Sequence, residues 1–411
     1  MNHHQQSYVL IGGGAAGYFA AINSAEANPS VRHILLEATH RPMTKIKLSG
    51  GGRCNVTHHC FDPKLLVQNY PRGSKELLGA FTRFQAKDTI AWFAERGVEL
   101  KTEADGRMFP STNKSETIIE CFHQEVERLG VEVRKGAKVN QIHKNGDRFT
   151  VEIQNQEPIE ADRILLATGS SEAGYKLATS LGHQIISPVP SLFTFNCTHP
   201  ILTDLMGTAF KQVALRLDVP PHQKKWQQTG PLLITHWGLS GPAVLKLSAF
   251  AARELHEAQY KASLSVNWVA PLTEEEVMEL CLSQKKENGK QNPKSSNVFP
   301  LTKKFFHRIL EHCLSEKQDR VWADLSKEDL KHLVHTLTST KVDIDGKGVF
   351  KEEFVSCGGV DLKEVDFKTM ESKVCPGLFF AGELLNIDGI TGGFNFQNAW
   401  TTAWIAAQKK F

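Results

Sequence analysis

No apolar run in the 411 residues approaches the roughly 18 that a membrane-spanning helix needs. The opening residues, MNHHQQS, also lack an apolar signal core. The chain therefore reads as cytoplasmic, with no membrane partner. There is no excess of charge of one sign, since 48 basic residues stand against 45 acidic ones. A net charge of +3 provides no field to gather nucleic acid, so a small-molecule substrate is expected and a nucleic-acid partner is not. The eight cysteines, at 54, 60, 121, 197, 281, 313, 357 and 375, form no C-x-x-C pair, and reduced thiols are expected. The run from Cys54 to Cys60 fits no zinc spacing, so no metal site is expected. No internal repeat is visible, and the length suggests two or three domains.

What is present begins with Tyr8 to Glu37, YVLIGGGAAGYFAAINSAEANPSVRHILLE, which reads as strand, glycine turn, helix, strand. Gly12, Gly14 and Gly17 have G-x-G-x-x-G spacing. The first permits a tight turn, the second lets a pyrophosphate approach the backbone, and the third brings the helix close to the strand. The phosphates would rest on a helix N-terminus, where unpaired N–H groups and the helix dipole favour negative charge. Glu37 lies about 20 residues beyond Gly17, where a carboxylate accepts hydrogen bonds from an adenosine ribose.

Arg41 to Asn55, RPMTKIKLSGGGRCN, reads as a long polar loop unsuited to strand or helix. Gly50, Gly51 and Gly52 would let it lie against a flat ligand, with Lys45, Lys47 and Arg53 as cations. Next come a helix over Lys87 to Arg96 stopped by Gly97, a strand over Val98 to Thr102, and turn chemistry at Asp105 to Pro110. A helix over Ser115 to Leu129 and a strand over Val131 to Val133 follow. Asn145-Gly146 marks a hairpin between Val139 to His143 and Phe149 to Ile153. Arg163 to Gly169 reads as a buried strand, either an ordinary strand of an αβ sheet or one whose turn, Thr168-Gly169, brings a second backbone edge to the dinucleotide.

From about Pro188 the character changes. Ser191 to Phe195, Val213 to Val219, Pro231 to Thr235 and Ala262 to Val269 read as strands of a barrel-like or open β domain, with one helix over Pro242 to His256. Thr273 and Glu276 form a capping box opening a helix to about Gln284. Asn288 to Asn297 reads as a mobile loop, and the i, i+4 stripe Phe305, Ile309, Cys313 as a helix. Ser326 to Asp329 opens another helix, and Asp343 to Gly346 reads as a β-turn that lacks the ligands of a calcium loop. The basic residues of this helical stretch read as a solvated face. Gly377 to Glu383 is again an apolar strand ending in a glycine and an acid, followed by LLNIDGITGG and a helix from Phe394 to Gln408. A chain that leaves the nucleotide domain near 190 and returns near 355 suits a flavin, a cofactor too long for one βαβ unit. Glu383 would bind ribityl hydroxyls, and the Gly392-Gly393 turn would aim a helix N-terminus at the flavin ring.

With these segments in place the chain resembles the bacterial flavoproteins of the HI0933-like family, the BaiN or YhiN type of NAD(P)/FAD-dependent oxidoreductases. The resemblance rests on Gly12 to Gly17, Lys47 to Asn55, Gly106 to Pro110, Thr235 to Pro242, Gly358 to Val360, and Ala381-Gly382-Glu383 through Asp388 to Asn395. It implies a fold that is α/β plus β: a discontinuous Rossmann-like FAD-binding domain of the glutathione-reductase type, with an inserted β-barrel-like domain carrying a small helical subdomain. The boundaries expected are 1–190 and 356–411 for the FAD domain, 191–271 and 341–355 for the barrel, and 272–340 for the helical insert. By the same resemblance Gly12, Gly14, Ala15, Ala16 and Gly17 face the pyrophosphate, Glu37 and Ala38 the adenosine ribose, and Val139 the adenine. Ser49, Gly50, Gly51, Gly52, Arg53, Cys54 and Asn55 line the phosphates and flavin. Thr168, Gly169, Gly382, Glu383, Asp388, Thr391, Gly392, Gly393 and Phe394 complete the site.

The activity implied is transfer of hydride or electrons between NAD(P)H and a small organic acceptor such as an unsaturated ketone, with FAD bound and NAD(P)H entering transiently. Amine oxidation of the aminoacetone type and flavin-dependent RNA modification are the alternatives. His236 and Arg107 are candidates for proton transfer and substrate binding, and Cys54 has no partner cysteine for a disulfide relay.

Overall fold

In the computed structural model, residues 5–348 and 355–411 are described; residues 1–4 and the 349–354 part of the expected barrel segment 341–355 lie outside them. The chain divides into two compact units, Met1–Val189 with Val355–Phe411, and Pro190–Phe354. No helix among the described residues is long and apolar enough to cross a membrane.

The first unit is built on a parallel sheet in the order Leu378–Phe380, Arg163–Leu166, β1 (Ser7–Ile11), β2 (Arg32–Glu37) and Glu132–Lys135. Two short antiparallel strands extend it beyond Leu378–Phe380. β1 is buried at every position, as a strand covered on both faces must be. Helix α1 (Ala15–Ala27) follows β1 and packs against the C-terminal helix Phe394–Ala407. Between these helices and their neighbours sits an aromatic core in which Phe19 meets Trp92 at 4.5 Å and Trp400 at 5.2 Å. The hairpin expected at Asn145-Gly146 forms between Val139–Asn145 and Arg148–Ile153.

The second unit holds a closed six-stranded antiparallel barrel: Phe195–Cys197, Gly238–Ser240, Lys225–Ile234, Ala209–Asp218, Ala262–Asn267 and Thr340–Lys347, the last pairing back to the first. Between its fifth and sixth strands along the chain lie the helices Glu274–Glu287, Lys303–Leu314 and Lys327–Ser339. Both expected helix starts form, with reciprocal capping boxes at Thr273/Glu276 and Ser326/Asp329. The helices share one apolar core with the barrel, as the contacts of Phe305 with Phe210 and Trp268 show.

Several segments depart from the sequence reading. The long polar loop contains a helix, α2 (Thr44–Gly52), because Thr44 to Leu48 are compatible with a helical turn; it departs from helical geometry at Ser49, Gly50 and Gly51. Ser191 to Phe195 is not one strand. Ile185–Ser191 and Phe195–Cys197 are separated at Leu192, whose φ is 59°. The Pro242 to His256 helix breaks at Ala251 into Pro242–Phe250 and Ala252–Glu257. Asn288 to Asn297 is tied down rather than loose: Trp322 and Ala323 donate backbone bonds to Gln291 and Gly289, and Pro293 is buried. Asp343 to Gly346 is part of a barrel strand, not a turn, with Val342 and Ile344 buried. Arg107–Pro110 pairs as a strand with Leu100–Thr102, so the turn is confined to the residues before Arg107.

Candidate active site

At the C-terminal end of β1 the chain turns at Gly12, whose φ is 113° and whose N–H donates to Leu36 O at 2.8 Å. Crowding fixes two of the three fingerprint glycines. A Cβ on Gly17 would fall 1.9 Å from Gly12 O, and one on Gly12 would fall 2.4 Å from Ala167 O. Gly14 differs, because nothing lies within 4 Å of the position its Cβ would take. It is also the N-cap of α1 and provides no side-chain cap, so the first-turn N–H groups face open space.

This open space is a cavity of about 270 Å³ with four walls, all in the first unit. The glycine turn contributes Gly12 to Ala16, and the ends of two neighbouring strands contribute Ala167 to Gly169 and Ala381 to Glu383. The start of α2 and the residues before it form the third wall, Thr39 to Ile46 except His40, and Asn395, Phe396 and Ala399 of the C-terminal helix form the fourth. Glu37 lines it too. Its carboxylate accepts from the Gly13 N–H at 2.7 Å and from the Thr39 N–H and hydroxyl at 2.8 and 2.7 Å, which fixes its orientation. Lys45 donates to Glu383 Oε2 at 2.5 Å and to Ser170 Oγ at 3.4 Å.

Three buried hydroxyls on or beside this wall, those of Thr168, Tyr18 and Tyr175, have no hydrogen-bond partner among the described residues. Burial pushes both phenols up to about 12, and the charges of Glu37 and Glu383 add to the shift of Tyr18 and Tyr175 respectively. An uncapped helix start, an open glycine, a fixed carboxylate and an orphan hydroxyl together fit an anionic, hydroxyl-bearing dinucleotide.

Of the residues singled out from the sequence, Gly12, Gly14, Ala15, Ala16, Glu37, Thr168, Gly169, Gly382 and Glu383 line this cavity. Ser49 to Asn55 and Thr391 to Phe394 do not, but the fold brings these two stretches together. The Asn55 carboxamide, in the orientation that satisfies both its atoms, donates to Thr57 O at 3.1 Å and accepts from Gly393 N at 2.9 Å. Gly393, at φ 92°, starts the C-terminal helix, and a Cβ there would strike Thr57 O at 2.5 Å.

Asp388 is fully buried in an ion pair with Arg72. Cys54 is buried beside Ser49, and burial lifts its thiol to about 12. Arg53 lies over Phe109 at 4.0 Å and pairs with Glu103 at 2.6 Å. Val139 begins the hairpin strand paired with Ile153 and does not line the cavity, while Ala38 follows the fixed carboxylate. Arg107 is held by Asp105 at 2.7 Å and Glu103 at 3.3 Å, away from the cavity wall. His236 belongs to the second unit, edge-on to Trp237 at 4.1 Å.

Sequence reasoning passed over Gly13, Thr39 and His58. The first two act through Glu37, a tertiary contact with no spacing signature. The His58 ring stacks on Phe394 at 4.6 Å with Nδ1 3.0 Å from Gly392 O. In the sequence it sits inside the His-rich run between Cys54 and Cys60, where only a metal pattern would have drawn notice.

The fold and site define a Rossmann-type dinucleotide-binding protein with an added closed barrel. The chain belongs to the HI0933-like family: residues 6–409 match the model described as the HI0933-like protein Rossmann domain. Three relatives align over nearly the whole chain. The ribosomal RNA dihydrouridine synthase of Haemophilus influenzae is 30% identical and that of Escherichia coli 29%, covering 97% of this chain and 97% and 96% of those proteins. The 3-dehydro-bile acid delta(4,6)-reductase of Clostridium scindens is 28% identical, covering 97% of each chain.

Proposed function

We propose that the chain is an FAD-dependent reductase of a carbon–carbon double bond conjugated to a carbonyl, with NAD(P)H entering transiently as reductant. The observation that carries this reading is the dinucleotide cavity at the end of β1 in a chain whose relatives, aligned over nearly their full length, act on one type of bond. Making dihydrouridine saturates a uracil double bond conjugated to a ring carbonyl. The bile-acid enzyme acts on double bonds conjugated to a 3-keto group.

FAD, when bound, relays a hydride from NAD(P)H to the acceptor, so that NAD(P)H and one proton are consumed for each double bond saturated. The protein binds and orients. Gly12 to Gly14 and the start of α1 would receive the pyrophosphate, and Glu37, held by Gly13 and Thr39, the adenosine ribose, with Ala38 and Val139 beside the adenosine. Glu383 and Lys45 would meet the ribityl chain. Ser49 to Asn55 and Thr391 to Phe394 would border the flavin ring, with Asp388 bracing that turn through Arg72. His58, on the short strand Thr57–His58, packs against that turn through Gly392 O and Phe394. In this reading 1–190 with 356–411 is the cofactor domain, 191–271 with 341–355 the inserted barrel domain, and 272–340 its helical insert.

The test is reoxidation of the reduced enzyme, without oxygen, by a 4-ene-3-ketosteroid and separately by unmodified ribosomal RNA. Loss of enone absorbance, or appearance of dihydrouridine by mass spectrometry, is expected. Reoxidation by neither, together with flavin reduction by aminoacetone but not by NAD(P)H, would replace the reductase with an amine oxidase.

A further inference from the structure

The outer wall of the barrel has a second cavity, of about 260 Å³, which the dinucleotide site does not use. Strand register places its side chains in rows. Arg216 stands between Gln227 on one neighbouring strand and Ser265 on the other, and Ser265 is in turn opposite Lys341. One step along, Ala214 lies between Thr229 and Asn267. The alternate positions Leu215, Leu217, Leu264, Val266 and Val342 are buried, so this row faces outward.

The next row shows how such a wall is ordinarily neutralised: Asp218 pairs with Lys225 at 3.1 Å, and Asp343 lies opposite Ser263. The Arg216 row contains no acid. The side chains of Arg216, Gln227, Thr229, Ser265 and Lys341 make no hydrogen bond or ion pair with any described residue. A guanidinium flanked by an amide and hydroxyls matches a phosphodiester with a base edge and a ribose hydroxyl beside it. Lys341 is two strand spacings from Arg216, about 10 Å, far enough to meet a different phosphate.

We propose that this face of the barrel binds single-stranded RNA, with Arg216 and Lys341 on successive stretches of backbone and Gln227, Thr229 and Ser265 on ribose and base. The proposal rests on the ribosomal RNA form of the reductase reading, in which the acceptor is a uridine. The expected charge effect is local, which reconciles it with a chain whose net charge is only +3.

The experiment is fluorescence anisotropy of labelled oligo(U) RNA with the holoenzyme, comparing wild type, the double variant R216E/K341E, and the milder R216Q/K341Q should the first not fold. Wild type should bind with an affinity that falls as salt rises, and the variants should weaken binding about tenfold or more. Melting temperature and reoxidation of the reduced flavin by a steroid enone should be unchanged. Equal binding by wild type and variants overturns the proposal, as does displacement of the RNA by NADPH. Equal binding of oligo(dT) removes the ribose contacts and overturns the assignment to RNA. If wild type binds no RNA yet reduces the enone, this surface fails while the reductase stands. If the variants form dihydrouridine in ribosomal RNA as well as wild type, this surface fails while the RNA substrate stands.

Discussion

The three fingerprint glycines do separable work, and substitution should separate them. Gly17→Ala places a methyl 1.9 Å from a backbone oxygen that cannot swing aside, so the unloaded protein should lose about 3 kcal/mol or more of stability. Gly14→Val meets nothing within 4 Å, and at φ −92° and ψ −166° its backbone suits valine. It should therefore leave the melting temperature of the unloaded protein unchanged and weaken FAD binding about tenfold or more, as read by titration of flavin fluorescence. Equal loss of stability in both variants would contradict the division. Cys54 gives a second test at this scale. Seven of the eight cysteines are buried and Cys60 is only partly so, while the Cys54 thiol, lifted to about 12 by burial, stays protonated. Alkylation of the native protein at pH 8 should modify Cys60 alone, and Cys54→Ala should keep flavin reduction by NAD(P)H. Labelling of Cys54 in the folded state would restore a redox thiol to consideration.

At the scale of elements, β2 contains a buried pH dependence. His33 bonds Ser24 Oγ at 2.9 Å, and burial lowers its pKa from 6.5 to about 4. The folded state thus binds fewer protons than the unfolded state between those values. The contribution is fully present above pH 6.5 and is lost as the pH falls toward 4, by a few kcal/mol in order of magnitude. Denaturant unfolding of His33→Asn, measured across that window, should show a shallower acid slope than wild type; an unchanged slope would assign the acid sensitivity elsewhere. Elements whose signals are local were legible in the sequence. The β1-turn-α1-β2 unit, the Asn145-Gly146 hairpin, the Thr273/Glu276 capping box and the helix start at Ser326 depend on neighbours within a few residues. Where tertiary packing decides, the sequence misled. The sequence reading started a strand at Pro231, yet the strand runs Lys225–Ile234 through it, because the register shifts between Phe210 and Val213 on its partner. Asp343 to Gly346 looked like a turn by composition, but the burial of Val342 and Ile344 holds it in the barrel.

For the whole molecule, the glycine turn, Glu37, Thr168-Gly169 and Glu383 were readable because each ends a strand of one parallel sheet, where such folds place ligands. The wall formed by Thr39 to Ile46 was only half readable, since its one lysine, Lys45, was noticed and its helix was not. The Asn55–Gly393 contact joins residues far apart in the chain through a single carboxamide, which no pattern in either segment announces. The acceptor is the least legible part, because relatives of equal similarity act on a steroid and on RNA. The common claim is a flavin that takes electrons from a nicotinamide and gives them to a conjugated double bond. The decisive experiment is anaerobic titration of the purified protein with NADH and with NADPH. The expected result is a yellow protein whose visible flavin absorbance bleaches with at least one of the two and returns on adding a conjugated enone or uridine-containing ribosomal RNA. A colourless protein that takes up no added FAD, or bound flavin that neither nicotinamide bleaches, would contradict it.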